Sequence, residues 1–103
     1  MPRTRHYVHR VAQDTAIDTA PETLATVATF DRDRLTLIIE ASVASDFALE
    51  VQMEPGGSFT TFKTYTGTDS VAETLDLVAH SVRVQNTTAQ TAGDTATVKL
   101  GAE

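Results

Sequence analysis

The first ten residues gather side chains that could do chemistry: Arg3, Arg5 and Arg10 stand with His6 and His9 and without a single acid. Guanidinium groups recruit phosphates or carboxylates, and imidazoles ligate metals when two or more share a face. His6 and His9 are three apart, a metal-sharing spacing on a helix. The segment MPRTRHYVHRV, however, alternates weakly at Tyr7, His9 and Val11, and extended backbone sends residues three apart to opposite sides. His80 is remote in sequence. No zinc or copper site is expected, and a flat metal titration would agree.

The other candidates have simpler readings. Asp31 and Asp33 flank Arg32 in a turn, and paired carboxylates begin a calcium site, but the repeated acids and the Gly of a calcium loop are missing, so a solvated turn is expected. Ser and Thr abound without a Gly-x-Ser-x-Gly elbow or a Ser-x-x-Lys pair, so we expect no enzyme and no catalytic residue. Pro55-Gly56-Gly57 lacks the Lys and the following helix of a phosphate-cradling loop and reads as a turn. Asn86-Thr87-Thr88 fits the N-glycosylation pattern; a chain assembled in the cytoplasm would not be modified. No cofactor is expected.

The elements that must position these residues are strands. Over residues 46–67, DFALEVQMEPGGSFTTFKTYTG, Phe47, Leu49, Val51 and Met53 alternate with Ala48, Glu50, Gln52 and Glu54, the two-residue period of a half-buried strand. The Pro-Gly-Gly turn then returns an arm rich in aromatics and Thr over residues 58–65. Upstream, residues 23–30 are rich in β-branched residues, and residues 34–43 put Leu35, Leu37, Ile39, Ala41 and Val43 on one face. Residues 12–22 read as a loop blocked by Pro21. Downstream, residues 71–78, 81–85 and 95–100 carry inward sets such as Leu75 and Leu77, Val82 and Val84, and Ala96, Val98 and Leu100. Residues 66–70 and 86–94 are polar breaks.

Such spacing predicts an all-β chain, an antiparallel β-sandwich (jelly-roll or immunoglobulin-like) of about seven to eight strands. The Thr and Asp density is poor for helix interiors at residues 12–24 and 70–78, the two segments where a helix could be argued. We expect a basic N-terminal arm or edge strand over residues 1–11 and a single sandwich domain over residues 12–103.

Composition narrows the classes further. With 103 residues and no Cys, the chain is large enough for one core without cross-links, and disulfide, thiolate-metal and Cys-nucleophile chemistry are excluded. No apolar run approaches the roughly 20 residues of a membrane-spanning helix, and the start lacks the apolar stretch of a signal peptide. The formal net charge is -6, but residues after the tenth hold five basic against 14 acidic side chains. The body is acidic and the arm basic. Scarce Lys and abundant Asp suit life in concentrated salt, where the Debye length falls to about 3 Å and self-repulsion is screened.

An acidic body repels a phosphate backbone, so nucleic acid is disfavoured as the arm's partner. A copy of that body attracts the arm instead. We therefore expect a homo-oligomer, with no membrane contact, in which Arg3, Arg5, His6, Tyr7 and Arg10 bind a partner.

From Leu35 to Ala102 the succession of a strand ending in Glu, a Gly-Gly turn, an aromatic-Thr strand ending TYTGT, then VAETLDLVAHSVRVQNTT and AGDTATVKLGA resembles small β-sandwich proteins of haloarchaeal tailed viruses and proviruses. That resemblance implies a virion structural protein (capsid decoration, turret, spike or tail-associated subunit) assembled in the host cytoplasm and contacting copies of itself and other virion proteins. The stretch LEVQMEPGGSFTTFKTYTG also resembles discoidin-type carbohydrate-binding modules. Those carry Trp near the position of Phe59; this chain has none. A sugar-binding module would display Phe59, Phe62 and Tyr65 together, whereas alternation places Phe59 and Tyr65 on one face and Phe62 opposite.

Overall fold

The computed structural model describes residues 8–30 and 32–103. Among them are six strands and no helix: β1 (Val8–Ala16), β2 (Glu22–Ala28), β3 (Arg34–Gln52), β4 (Phe59–Asp76), β5 (Ser81–Asn86) and β6 (Thr95–Ala102). All pairings are antiparallel. The chain is an all-β sandwich closing nearly into a barrel, with six strands where seven to eight were expected.

The difference in count comes from two mergers. Residues 44–46 and 66–70 contain the turn formers that suggested breaks, yet β3 and β4 run straight through them as strands of 19 and 18 residues. The ladder between them bends rather than stops: register shifts fall between Glu40 and Ser45 and again between Ser45 and Phe47, and Gly67 takes φ +62°. Bulges add local twist and curvature without ending a strand. The polar residues mark the bend.

That bend creates two layers from one long hairpin. The first half of β3 pairs with β6 through Leu35↔Ala102 to Ala41↔Ala96, and its second half pairs with β5 through Phe47↔Asn86 to Gln52↔Ser81. Beyond them β1 lies on β6 and β2 on β5. Odd-numbered residues of β3 keep facing inward on both sides of the bend, so Leu35, Leu37, Ile39, Phe47 and Leu49 are all essentially buried. They meet Val82, Val84, Val98, Leu100, Leu24 and Ile17 in one core. At about 25 cal/mol per Å² of apolar surface, this shared layer is the main favourable term.

Two local expectations need correcting. Part of the anticipated loop over residues 12–22 is strand, because β1 continues to Ala16 across a bulge at which Asp14 adopts φ +49° and its amide donates to Thr97 Oγ1 at 3.1 Å. Met53 was placed with the inward set but is 66% exposed, since β3 ends one residue earlier.

The chain ends and crossovers sort to two ends of the sandwich. At the bend end lie residues 17–21 and 87–94. At the opposite, open end lie the start of β1, the end of β6, the turn at residues 53–58, and two crossovers, one with residues 29, 30, 32 and 33 and one at residues 77–80.

Candidate interaction surfaces

Side chains expected to act fall into different places. Arg3, Arg5, His6 and Tyr7 lie outside the described residues, as does Asp31. Arg10 opposes Leu100 at the margin of the core and is exposed. His9 opposes Gly101 in β1, whereas His80 sits on the crossover before β5, its ring edge-on to Phe30 at 5.7 Å. No group of three metal-ligating side chains occurs among the described residues. Arg32 folds back onto the Thr29 carbonyl at 3.0 Å, and the Asp33 carbonyl accepts from the Leu77 amide at 3.3 Å, tying the two crossovers together.

The turn at Pro55-Gly56-Gly57 is saturated by its own chain. Gly56 has φ +75°, the Gly57 amide donates to the Glu54 carbonyl at 3.0 Å, and Gln52 Nε2 donates to the Gly57 carbonyl at 2.8 Å. It is a scaffold turn.

Asn86 is fully buried, which closes the glycosylation question for the folded chain. Its amide donates to the carbonyls of Ile17, Thr19 and Thr88 at 3.2, 3.1 and 2.8 Å, and Ser45 Oγ donates to its Oδ1 at 2.8 Å. One side chain therefore fastens β5, the loop before β2 and the bend of β3. Beside it Asp46 accepts from the Gly67 amide and from Thr88 Oγ1, each at 2.7 Å. Those bonds, the Thr88 one foremost, hold its carboxyl below the ordinary carboxylate range.

The three aromatics of β4 do not form a platform. A register shift between Leu49 and Glu50 sets Phe59 opposite Gln52 on the outer face and Tyr65 opposite Phe47 on the inner face. They were expected on one face, and the bulge separates them. Phe62, in that bulge, is exposed. Arg83 lies 4.2 Å above the Phe59 ring while its guanidinium holds Glu50 Oε1 through Nε and Nη2, both at 2.7 Å. The aromatic face is covered by a cation.

A group that alternation makes visible, and that the reading of β4 from Leu75 and Leu77 passed over, is Glu73. It shares their parity and points inward, meeting Lys63 Nζ in a hydrogen-bonded ion pair and accepting from Tyr65 Oη at 2.7 Å. Lys63, and to a smaller extent Tyr65, lower the Glu73 carboxyl; burial first, then Glu73, raises the Tyr65 phenol. Inward charges on an edge strand block pairing with another strand. β4 has β3 as its only partner strand among the described residues, so this clasp protects the edge as well as closing the bend.

The open end carries both apolar and acidic surface. Phe30, Met53 and Val78 are 61%, 66% and 50% exposed, and all three sit at this end. An open cleft of about 330 Å³ is lined there by Asp33, Arg34, Asp76, Leu77 and Val78.

No family model matches the chain, and no curated protein does. Solved structures share its fold. YomS, a protein derived from the SPBc2 prophage, superposes with a TM-score of 0.71 at 16% identity, covering 99% of this chain and 97% of that one. A mutant of CBM29-2, a family 29 carbohydrate-binding module, superposes with a TM-score of 0.50 at 12% identity over 94% and 91% of the chains. A viral all-β protein and a carbohydrate-binding module thus both resemble this sandwich.

Proposed function

We propose that this chain is a non-enzymatic structural subunit of a virus or provirus particle, a decoration, turret, spike or tail-associated protein, assembled in the host cytoplasm and working through protein–protein contacts. The observation that carries this reading is the end-to-end match to a prophage-derived protein of nearly the same extent. The build of the sandwich is in keeping with it. The bend is fastened by buried hydrogen bonds and the β4 edge is guarded by Lys63 and Glu73; Arg3, Arg5, His6, Tyr7 and Arg10 are the proposed contact residues. Copies of the acidic body are its preferred partner.

The second reading is a carbohydrate-binding module, favoured by the CBM29-2 likeness and by the outer-face group of Phe59, Arg83 and Glu50. Stacking on a sugar needs an open ring face, and Arg83 occupies one face of Phe59. Light scattering of the full chain, run beside a glycan array, separates the readings. A self-associated species with a blank array supports the structural role; a monomer that binds glycans overturns it.

A further inference from the structure

Donor and receptor for the arm lie at the same end of the molecule. Val8 opposes Ala102, Ala102 opposes Leu35, and Leu35 opposes Leu75, so the start of β1 belongs to the last row before Arg34, Asp76 and Glu103. With strands about 4.8 Å apart, Val8 at the start of β1 lies about 10–15 Å from the ends of β3 and β4 that line the cleft. The described side chains of this end include Asp33, Glu54, Asp76 and Glu103 against Arg32 and Arg34, and Arg34 faces Glu103 at 3.7 Å. An acidic excess of two meets Arg3 and Arg5.

Apolar surface at the same place calls for more than an arm. Phe30 is exposed and holds φ +48°, a left-handed conformation that is a true outlier for a bulky side chain. Its amide and that of Thr29 both donate to the His80 carbonyl, at 3.1 and 2.8 Å, and Thr29 Oγ1 donates to Ala79, so the crossovers hold Phe30 out. Strain persisting on a rigid, hydrogen-bonded support is a sign of use. An arm folded back on its own chain would neutralise the cleft and leave Phe30 and Met53 in water. A second copy, end against end, covers both.

We propose that the cleft of Asp33, Arg34, Asp76, Leu77 and Val78, in which Arg34 already faces Glu103, receives the basic N-terminal segment, residues 1–7, of a second copy, with Phe30 and Met53 packed against that copy's open end. This rests on the reading of the chain as a contact-making subunit. Because arm and cleft share one end, the exchange is reciprocal and the pair two-fold; a donor and receptor at opposite ends would build rings or filaments instead.

The test uses full chains at the lowest salt in which they stay folded by circular dichroism. Light scattering should give twice the chain mass, falling to the single-chain mass for R3E/R5E and for D33K/D76K, with D76K alone as the milder variant. Mixing the two reversed chains should restore the pair, since each arm then faces a cleft of opposite charge in trans. Failure to restore it on mixing, or a pair unmoved by either reversal, overturns the proposal. A larger oligomer indifferent to D33K/D76K also overturns it while leaving the structural-subunit reading standing. A monomer at every concentration overturns both.

Discussion

Lys63 and Glu73 are ten residues apart on one strand, yet their charged ends meet because β4 folds over between them. Tyr65 completes the contact from the same inner face. The three side chains span the two layers at the β4 edge, beside buried Val71 and half-buried Leu75 and Leu77. A strand of 18 residues thereby packs against itself through charge as well as through apolar side chains.

The clasp should give stability a dependence on pH at both limits. The lowered Glu73 carboxyl contributes fully above the unfolded value near 4.5 and loses its contribution as pH falls through its depressed folded value. The raised Tyr65 phenol contributes fully below its unfolded value near 10.0, and the contribution declines as pH rises above that. Urea unfolding followed across pH should show the alkaline decline in the native chain and a shallower one in Tyr65→Phe. An unaltered alkaline limb in that variant would refute the assignment.

Asn86 should be among the most costly polar positions to replace. Asn86→Ala removes the amide's bonds to the Ile17, Thr19 and Thr88 carbonyls and the Oδ1 that accepts from Ser45, while opening a cavity at a fully buried position, and a loss of about 3 kcal/mol is expected from the lost bonds and packing. Ser45→Ala removes the hydroxyl that donates to Asn86 Oδ1 and accepts from Gln90 Nε2, and should cost about 1–2 kcal/mol. Chemical denaturation measures both.

Much of the fold was legible because alternation survives burial. Leu35, Leu37 and Ile39, then Phe47, Leu49 and Val51, then Val82 and Val84 are inward as their spacing indicates. The bend was not legible, because Ser45, Asp46 and Gly67 carry the same turn chemistry whether a strand stops or curves. Only the hydrogen bonds from Gly67 and Thr88 to Asp46 distinguish the cases. The separation of Phe59 from Tyr65 was hidden for a similar reason: one bulge residue reverses every face beyond it. Glu73 was readable in principle, as an acid on the parity of Val71 and Leu75. The open-end surface was not, since it is assembled from Phe30, Met53 and Val78 on three separate connections.

Gly67 tests the bend directly. A Cβ there would meet nothing within 4 Å, so the cost of Gly67→Ala is confined to φ +62° and should be about 1 kcal/mol. Gly57→Ala differs: its Cβ would come within 2.9 Å of Glu54 Cγ and 3.1 Å of the Glu54 carbonyl oxygen. The Glu54 side chain can swing away and the carbonyl cannot, so the turn must shift. Thermal melts should place both variants below the native chain, with only Gly67→Ala leaving the Gln52 amide signal in its native position by NMR.

Salt dependence follows from the charge distribution. The residues beyond the tenth hold 14 acids against five bases, and of the five, Lys63 and Arg83 are committed to Glu73 and Glu50 while Arg34 faces Glu103. The Lys63–Glu73 and Arg83–Glu50 contacts weaken only modestly in salt, because hydrogen-bonded partners are closer than even the roughly 3 Å Debye length of a molar solution. Repulsion among the remaining acids acts over longer distances and is screened almost completely. Molar KCl should therefore raise the melting temperature over dilute buffer, by several degrees for a domain of this size. An equal midpoint in the two solutions would show that the acidic surface is not adapted to salt.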